Sequence, residues 1–378
     1  MKITDVKLLY AKHYLFVHVY TDEGIVGLGE AGNWGHLMAT AEAIKKFSTW
    51  LIGKDPSRID DIGQNLYRSL YFRGSVIMSA ISAIDIALWD IKGKKLGVPV
   101  YELLGGKTRD KVRVYASPMT KETDSEALKK SYQELKENGF TAAKIFVNGP
   151  VQSVQNGRDE FFCGRIEEEL EKVEMIREAV GKDFDLILEV HRGMTKPEAI
   201  TFGREVASFR PMVMEDPVTP DNIDTMAEIS VPIATGERFI NIKEFEMLFR
   251  RDAASYVRPD VCAIGGITAA KKICSMAEAN DVLVIPHNPL GPVSTAACLQ
   301  ICASIPNFGI QELPGFCLNG AEDAMVQKPF TVQSGCLMIP DAPGIGIELS
   351  EHACELYPLK DRGGLEAKRM FDGSVKDW

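Results

Sequence analysis

Residues 185–191 read DLILEVH, an apolar run that closes on Glu189 with His191 two positions further on. Alternate residues of a strand share a face. This stretch therefore aims a carboxylate and an imidazole the same way. Two more apolar runs finish alike: PMVMED carries Glu215 and PIATGE carries Glu237. Lys144 sits inside the run AAKIF, while SYVRPD ends in Asp260, LVIPH in His287 and FGIQE in Glu312. Three carboxylates from neighbouring strands predict an oxygen-donor site for a hard divalent cation. Mg2+ suits it better than Zn2+, since none of the three offers thiol or imidazole. His191 and His287 titrate near neutral pH and suit proton transfer. Asp260 could hold one ring nitrogen of His287 and raise the basicity of the other. Lys144 could neutralise the carboxylates or bind a substrate carboxylate. Glu312 could donate a hydrogen bond to a developing oxyanion if burial raises its pKa, or it could pair with Lys144.

Such a set predicts removal of a weakly acidic proton beside a carboxylate, with the cation stabilising the enediolate. One histidine would take the proton. The other would either expel a hydroxyl or return a proton. On residue types alone, dehydration and racemisation or epimerisation both stay open. So does a non-catalytic relative that keeps only the fold.

These groups can meet only if their strand ends share one face. From about residue 111, short apolar runs alternate with amphipathic stretches. Strands are predicted at 112–117, 141–146, 185–191, 211–216, 232–237, 255–260, 283–287 and 308–312. Helical segments such as 125–139 and 267–281 lie between them. That rhythm implies parallel pairing and an α/β fold. Eight strands predict a (β/α)8-type barrel, whose active sites lie at the C-terminal strand ends. A doubly wound open sheet is the alternative. The polar stretch 148–164 has little periodicity and reads as a lid. Before the barrel, residues 2–10, 14–20 and 24–30 read as strands. In the helix at 79–97, Ala80, Ile81, Ile84, Leu88 and Ile91 share a face and Gly97 is a stop. After 313 the rhythm is lost, and a tail rich in Gly and Pro is expected to pack on the N-terminal module. The predicted domains are an α+β module at 1–110, a barrel at 111–313, and a returning tail at 314–378.

With 378 residues, 45% of them apolar, the chain can bury a large core without staples. A formal charge of −10 argues against a nucleic-acid partner. Eight cysteines without a CxxC pair predict reduced thiols. No long apolar region follows the start MKITDVKLLY, and no run approaches the ~18 apolar residues of a membrane span. A soluble, cytoplasmic protein with no membrane partner is expected.

Lys144, Glu189, Glu215 and Glu237, followed by Asp260 and His287, resemble the mandelate racemase branch of the enolase superfamily. SAISAIDIALWDIKGKKLGVPVYELLGG (79–106), RPDVCAIGGIT (258–268) and PHNPLGPVSTAA (286–297) are similar to motifs of that family. The nearest likeness is to acid-sugar dehydratases of the galactonate dehydratase type. They share a His two residues after the first metal ligand, as at His191, and the PHxPLGP segment. The resemblance implies a modified (β/α)7β barrel under a capping domain built from the N-terminal region and the tail. It implies Mg2+ on Glu189, Glu215 and Glu237, His287 as base at C2 with Asp260 behind it, and His191 as acid at the C3 hydroxyl. Glu312 would hydrogen-bond the enediolate, and the product would be a 2-keto-3-deoxy acid sugar. The partners expected are a small-molecule acid sugar and further copies of the chain in a homo-oligomer. Specificity would come from the N-terminal module, with Trp34 and His36 of NWGH and Arg73 of YFRG as candidate sugar contacts, the alternative being a packed surface aromatic and solvated polar groups. Two positions depart from the family: Glu189 stands where Asp is usual, and Lys144-Ile145-Phe146 replaces Lys-x-Lys. Loss of the second lysine favours dehydration over racemisation.

Overall fold

A computed structural model describes residues 1–32, 35–69, 71–116, 125–147, 162–360, 367 and 373–375. The chain opens with an antiparallel meander of β1 (Ile3–Ala11), β2 (Tyr14–Thr21) and β3 (Val26–Ala31). Helices α1 (Leu37–Leu51) and α3 (Ser75–Leu96) pack on this sheet, and α2 (Ile59–Ser69) packs on α3. Residues Ala80, Ile81, Ile84, Leu88 and Ile91 are buried, as their spacing predicts, and Gly97 ends α3 in the left-handed conformation. α3 is buried on more than that one face, because β3 lies on one side and a helix of the next layer on the other. Glycine makes the first contact possible. A Cβ at Gly29 would stand 1.9 Å from the Ala83 carbonyl oxygen, and one at Gly27 would stand 2.1 Å from that of Ala87.

After α4 (Val100–Leu103) come β4 (Lys111–Ala116), α5 (Ser125–Glu137), β5 (Ala142–Phe146) and α6 (Phe162–Val180). Then follow β6 (Asp185–Glu189), α7 (Lys196–Val206), β7 (Val213–Glu215), α8 (Ile223–Met226) and β8 (Ile233–Thr235). The alternation continues through α9 (Ile242–Arg250), β9 (Tyr256–Val257), α10 (Gly266–Glu278), β10 (Leu283–Val284), α11 (Pro292–Ala303) and β11 (Gln311–Leu313). Strands β4 to β10 pair in chain order, all parallel, and β11 pairs parallel with β4. On the other side of β11, the Val284 N–H donates to the Asn307 carbonyl, and the Gly309 N–H to that of Val284, both at 2.9 Å.

The rest of the chain carries α12 (Phe316–Asn319), β12 (Val332–Gln333), β13 (Cys336–Met338) and α13 (Ala353–Leu356). Here β13 pairs antiparallel with β4, so the tail does not pack on the N-terminal module alone. It does reach that module as well. The buried Asp90 of α3 accepts the Ile345 and Leu28 N–H groups, each at 2.9 Å, and Lys12 exchanges backbone bonds with Tyr357 and Lys360. Most of the lid predicted at 148–164 lies outside the described residues, while residues 162–164 open α6. Among the described residues, no helix is long and apolar enough to cross a membrane. The eight cysteines are free thiols.

Several strands are shorter than the apolar runs suggest. An apolar run reports burial, whereas a strand also needs ladder partners. β6 stops at Glu189 because His191 and Arg192 turn into the left-handed region, with φ of 52° and 64°. β7 stops at Glu215 before Asp216 at φ 40°, and β8 stops before Gly236 at φ 126°. The polar groups therefore stand at or just beyond the strand ends. Beneath them Tyr115, Ala142, Ile187, Val213, Ala234, Ile285 and Ile310 form a separate apolar cluster. Two residues beyond members of this floor come Lys144, Glu189, Glu215, His287 and Glu312. The period of two thus lifts the chain from an apolar layer into a charged one.

Gly29→Ala should test the contact between β3 and α3. Forcing a methyl into that contact should cost about 1–3 kcal/mol. Gly63→Ala, with nothing within 4 Å of the new methyl, should not destabilise. Thermal melts of both variants would check this, and an unchanged midpoint in Gly29→Ala would refute the contact.

Candidate active site

Lys144 of β5 is buried and reaches three carboxylates at once. Its Nζ stands 2.8 Å from Glu189 Oε2, 3.1 Å from Glu215 Oε1 and 3.3 Å from Glu312 Oε1. The wholly buried Arg258, just past β9, braces the same group. Its guanidinium lies 2.7 Å from Glu215 Oε1 and 2.8 Å from Glu312 Oε2, and it donates to the Tyr115 hydroxyl at 2.9 Å. A third cation, Arg192, donates to Glu237 Oε1 at 2.8 Å and to Asp216 Oδ2 at 3.0 Å. His287 Nδ1 bonds Asp260 Oδ2 at 2.8 Å, and its Nε2 stands 3.3 Å from Glu237 Oε2. The dyad expected of Asp260 and His287 is therefore formed, with the other oxygen of Asp260 accepting the Cys262 N–H at 2.8 Å.

Glu189, Glu215 and Glu237 each offer an oxygen, and these atoms lie within 4.8 Å of one another. Glu215 Oε2 is buried without a hydrogen-bond partner among the described residues. Among the described residues, six carboxylates crowd this region (Glu189, Glu215, Asp216, Glu237, Asp260 and Glu312) against three permanent cations, Lys144, Arg192 and Arg258. An orphaned carboxylate oxygen, an all-oxygen donor set and an excess of negative charge fit a divalent cation. A cation there would share each carboxylate with Lys144 or Arg192.

The protonation equilibria show the same crowding. Burial, followed by Glu189 and Glu312, pushes the Glu215 carboxyl well up against the pull of Arg258 and Lys144. For Glu237, burial is outweighed by His287, Arg192, Arg258 and Lys144, which hold it below the usual carboxylate range. Glu312 is likewise held low, because Lys144, Arg258, His287 and the Asn288 N–H outweigh burial. That direction runs against the raised pKa on which the oxyanion-donor reading of Glu312 depended and favours its alternative, since Glu312 accepts from Lys144, Arg258 and the Asn288 N–H. Burial opposes charge on His287, but Glu237 and Asp260 more than compensate and raise its pKa. Burial and the adjacent Arg192 lower that of His191.

His191 does not extend the Glu189 face by strand periodicity, since the strand has ended and its φ is positive. Its backbone N–H instead donates to Glu189 Oε1 at 2.9 Å, and its ring lies against Arg192, 3.1 Å from each ring nitrogen. Trp34 lies outside the described residues. His36 is exposed and lines a cavity of about 270 Å³ with His13, Leu290 and Lys360. Arg73 is drawn to α2, where it stacks on Tyr67 at 4.3 Å and donates to its hydroxyl at 2.8 Å. Among the described residues, neither His36 nor Arg73 bonds the carboxylate cluster. Sequence reasoning missed Arg258, Arg192, Asp216 and Tyr115. Arg258 carried a signal, since it follows Tyr256 by two and so continues the inward face. Arg192 carried none, because it follows a left-handed residue.

Two family profiles match the chain: "Mandelate racemase / muconate lactonizing enzyme, N-terminal domain" over residues 4–105, and "Enolase C-terminal domain-like" over 127–353. A D-galactonate dehydratase of Variovorax paradoxus is 37% identical, with 100% of each chain covered. That of Pectobacterium atrosepticum is 36% identical over 100% of this chain and 99% of its own. A solved enolase-superfamily member from Salmonella Typhimurium superposes with TM-score 0.87 at 31% identity, covering 94% of this chain and 98% of its own. The 3,6-anhydro-D-galactonate cycloisomerase of Zobellia galactanivorans gives 0.84 at 29% identity, covering 94% and 99%. The chain belongs to the mandelate racemase branch of the enolase superfamily. It is an enzyme of the hydro-lyase class.

If a divalent cation joins the triad, its charge beside Glu237 should act on His287 in the sense opposite to Glu237. The His287 pKa should then fall. Titrating 15N-histidine-labelled protein by NMR with and without a divalent cation would show this. A pKa that stays put would place the cation away from Glu237.

Proposed function

We propose that the chain is a Mg2+-dependent acid-sugar dehydratase that removes the C2 proton and the C3 hydroxyl of an aldonate such as D-galactonate. The observation that carries this reading is the cluster of Glu189, Glu215 and Glu237 beside the Asp260–His287 dyad, with His191 at the end of β6. The family and the dehydratase relatives support it. We read the eight parallel strands as a closed (β/α)8-type barrel of the modified (β/α)7β kind at 111–313. In that reading a capping domain at 1–110 is joined by the tail at 314–378. The pairing of β4 with both β5 and β11 supports closure.

Mg2+ held by Glu189, Glu215 and Glu237 would supply positive charge against the substrate carboxylate as the C2 proton leaves. His287 takes that proton at Nε2, while Asp260 on Nδ1 fixes the tautomer and stabilises the imidazolium. His191 gives a proton to the departing C3 oxygen, and the enol product relaxes to the 2-keto-3-deoxy acid. Lys144 and Arg258 hold the glutamates in place, and Glu312 in turn anchors both cations. Racemases of the Lys-x-Lys pattern use a second base on β5. The position of that base holds Phe146, which pairs in register with Glu189 and has no proton to exchange.

A screen of aldonates and aldarates with Mg2+ for keto-acid formation tests the reading. No conversion across that panel would sink it. Glu215→Gln should lose Mg2+ affinity and turnover together, measured by calorimetry and keto-acid assay. Unchanged turnover would remove the metal site.

The two histidines separate by isotope exchange. His287→Asn should lose both turnover and exchange of the C2 proton with deuterated solvent. His191→Asn should keep that exchange while keto-acid production falls about 10²–10⁴-fold. The opposite pattern would exchange their roles. His191 must carry a proton to act as acid, and its lowered pKa means that proton is lost early as pH rises. The ratio of elimination to C2 exchange should therefore decline with rising pH.

A further inference from the structure

Glu30 is the penultimate residue of β3 in the N-terminal sheet, yet its carboxylate is wholly buried among residues that follow β10. One oxygen accepts the Gly291 N–H at 2.7 Å and the other the Ser294 N–H at 2.8 Å. Among the described residues, no cation pairs with it. Burial pushes its pKa up to about 8 despite those two bonds. A buried carboxylate without a cation is costly, and an apolar side chain would pack there at less cost. Nothing in the proposed chemistry uses it.

The neighbouring backbone is equally specific. Gly32 N–H donates to the Cys262 carbonyl at 3.0 Å. A Cβ on Gly32 would stand 2.9 Å from Cys262 Cβ and 3.0 Å from Leu290 Cδ1, and one on Gly291 would stand 2.7 Å from Glu30 Oε1. Residues 30–32 are thus wedged between two loops. One loop holds Asp260, whose Oδ1 takes the Cys262 N–H at 2.8 Å. The other holds His287 and Asn288, and Asn288 Oδ1 accepts the Ser294 hydroxyl at 3.0 Å. The loops face each other through the Asp260–His287 bond and an isolated bridge between the same residues.

We propose that Glu30 and Gly32 are positioning residues: the end of β3 is a wedge that sets the spacing of the loops bearing Asp260 and His287. The N-terminal sheet then fixes the geometry of the base from outside the strands that carry it. The kinetic part of this inference rests on the dehydratase reading, with His287 as base. The structural part does not.

The test has two arms. Without substrate, 15N-histidine NMR of the full chain should show the His287 Nδ1–H, identified by its disappearance in His287→Asn. In Glu30→Gln one accepted N–H meets an amide instead of an oxygen. That His287 signal should be lost to solvent exchange, while the other histidine signals stay in place. An unmoved signal would overturn the proposal. Should Glu30→Gln fail to fold, Gly291→Ala crowds the same carboxylate from the other side and should give the same loss.

In the second arm, with the acid sugar the wild type dehydrates, Glu30→Gln should lower kcat about 10²-fold, the cost of a misplaced catalytic group, and leave KM nearly unchanged. Added to Asp260→Asn, it should cost no more than about twofold further, since both act through one dyad. Multiplying effects would show that Glu30 acts elsewhere and would overturn the proposal. If the wild type dehydrates no acid sugar, the dehydratase reading falls. The NMR arm still decides the wedge.

Discussion

Charges removed from water must be matched where they stand, and this molecule removes many at one place. Lys144 and Arg258 are both buried, and between them they contact Glu189, Glu215 and Glu312. Taking away either cation would leave a glutamate cluster that could not stay ionised together. Even with both in place the balance is incomplete, since burial and its neighbours push the Glu215 carboxyl well up. A site built this way is poised for additional positive charge, which is what proton abstraction beside a carboxylate requires.

The fold supplies these positions through strand geometry. Side chains on successive strands form an apolar floor, and the residues two further on form the charged layer above it. The floor keeps water from the undersides of the charges and fixes their heights. The layer above is completed by turns, in which left-handed residues such as His191 and Asp216 stop the strands and redirect the chain. Arg192 reaches Glu237 and Asp216 from one of these turns, so a loop residue shares in the charge compensation.

The departures from the family are chemically readable. Glu189 carries one methylene more than the usual Asp, and its two oxygens are occupied by Lys144 and by the His191 backbone N–H. Its ties thus run to a cation on the next strand and to its own loop. Phe146 is 40% exposed at the end of β5, where a lysine would have added both a proton acceptor and another positive charge. Its place there leaves His287 as a base without a partner on that strand.

The α/β alternation, the triad of glutamates and the pairing of Asp260 with His287 were legible in the sequence. Apolar runs that close on an ionisable residue are local patterns, and strand parity carries them into three dimensions. Strand lengths were less legible, because burial makes an apolar run whether or not a neighbour completes the ladder. Arg258 was in phase and readable in principle, whereas Arg192 was not, since a left-handed turn destroys the parity that predicts direction. The protonation of Glu312 lay wholly with the tertiary structure. Burial alone raises a carboxyl pKa, and the arrival of Lys144, Arg258, His287 and the Asn288 N–H reverses the sign. The same holds for Glu30, which in the sequence is one acidic residue at the end of a predicted strand. Its burial over the loops of the dyad depends on contacts with Gly291 and Ser294, more than two hundred residues further along the chain. Local pattern determined which residues could do chemistry. Long-range packing decided which were charged and what held them, because both depend on neighbours that are distant in sequence.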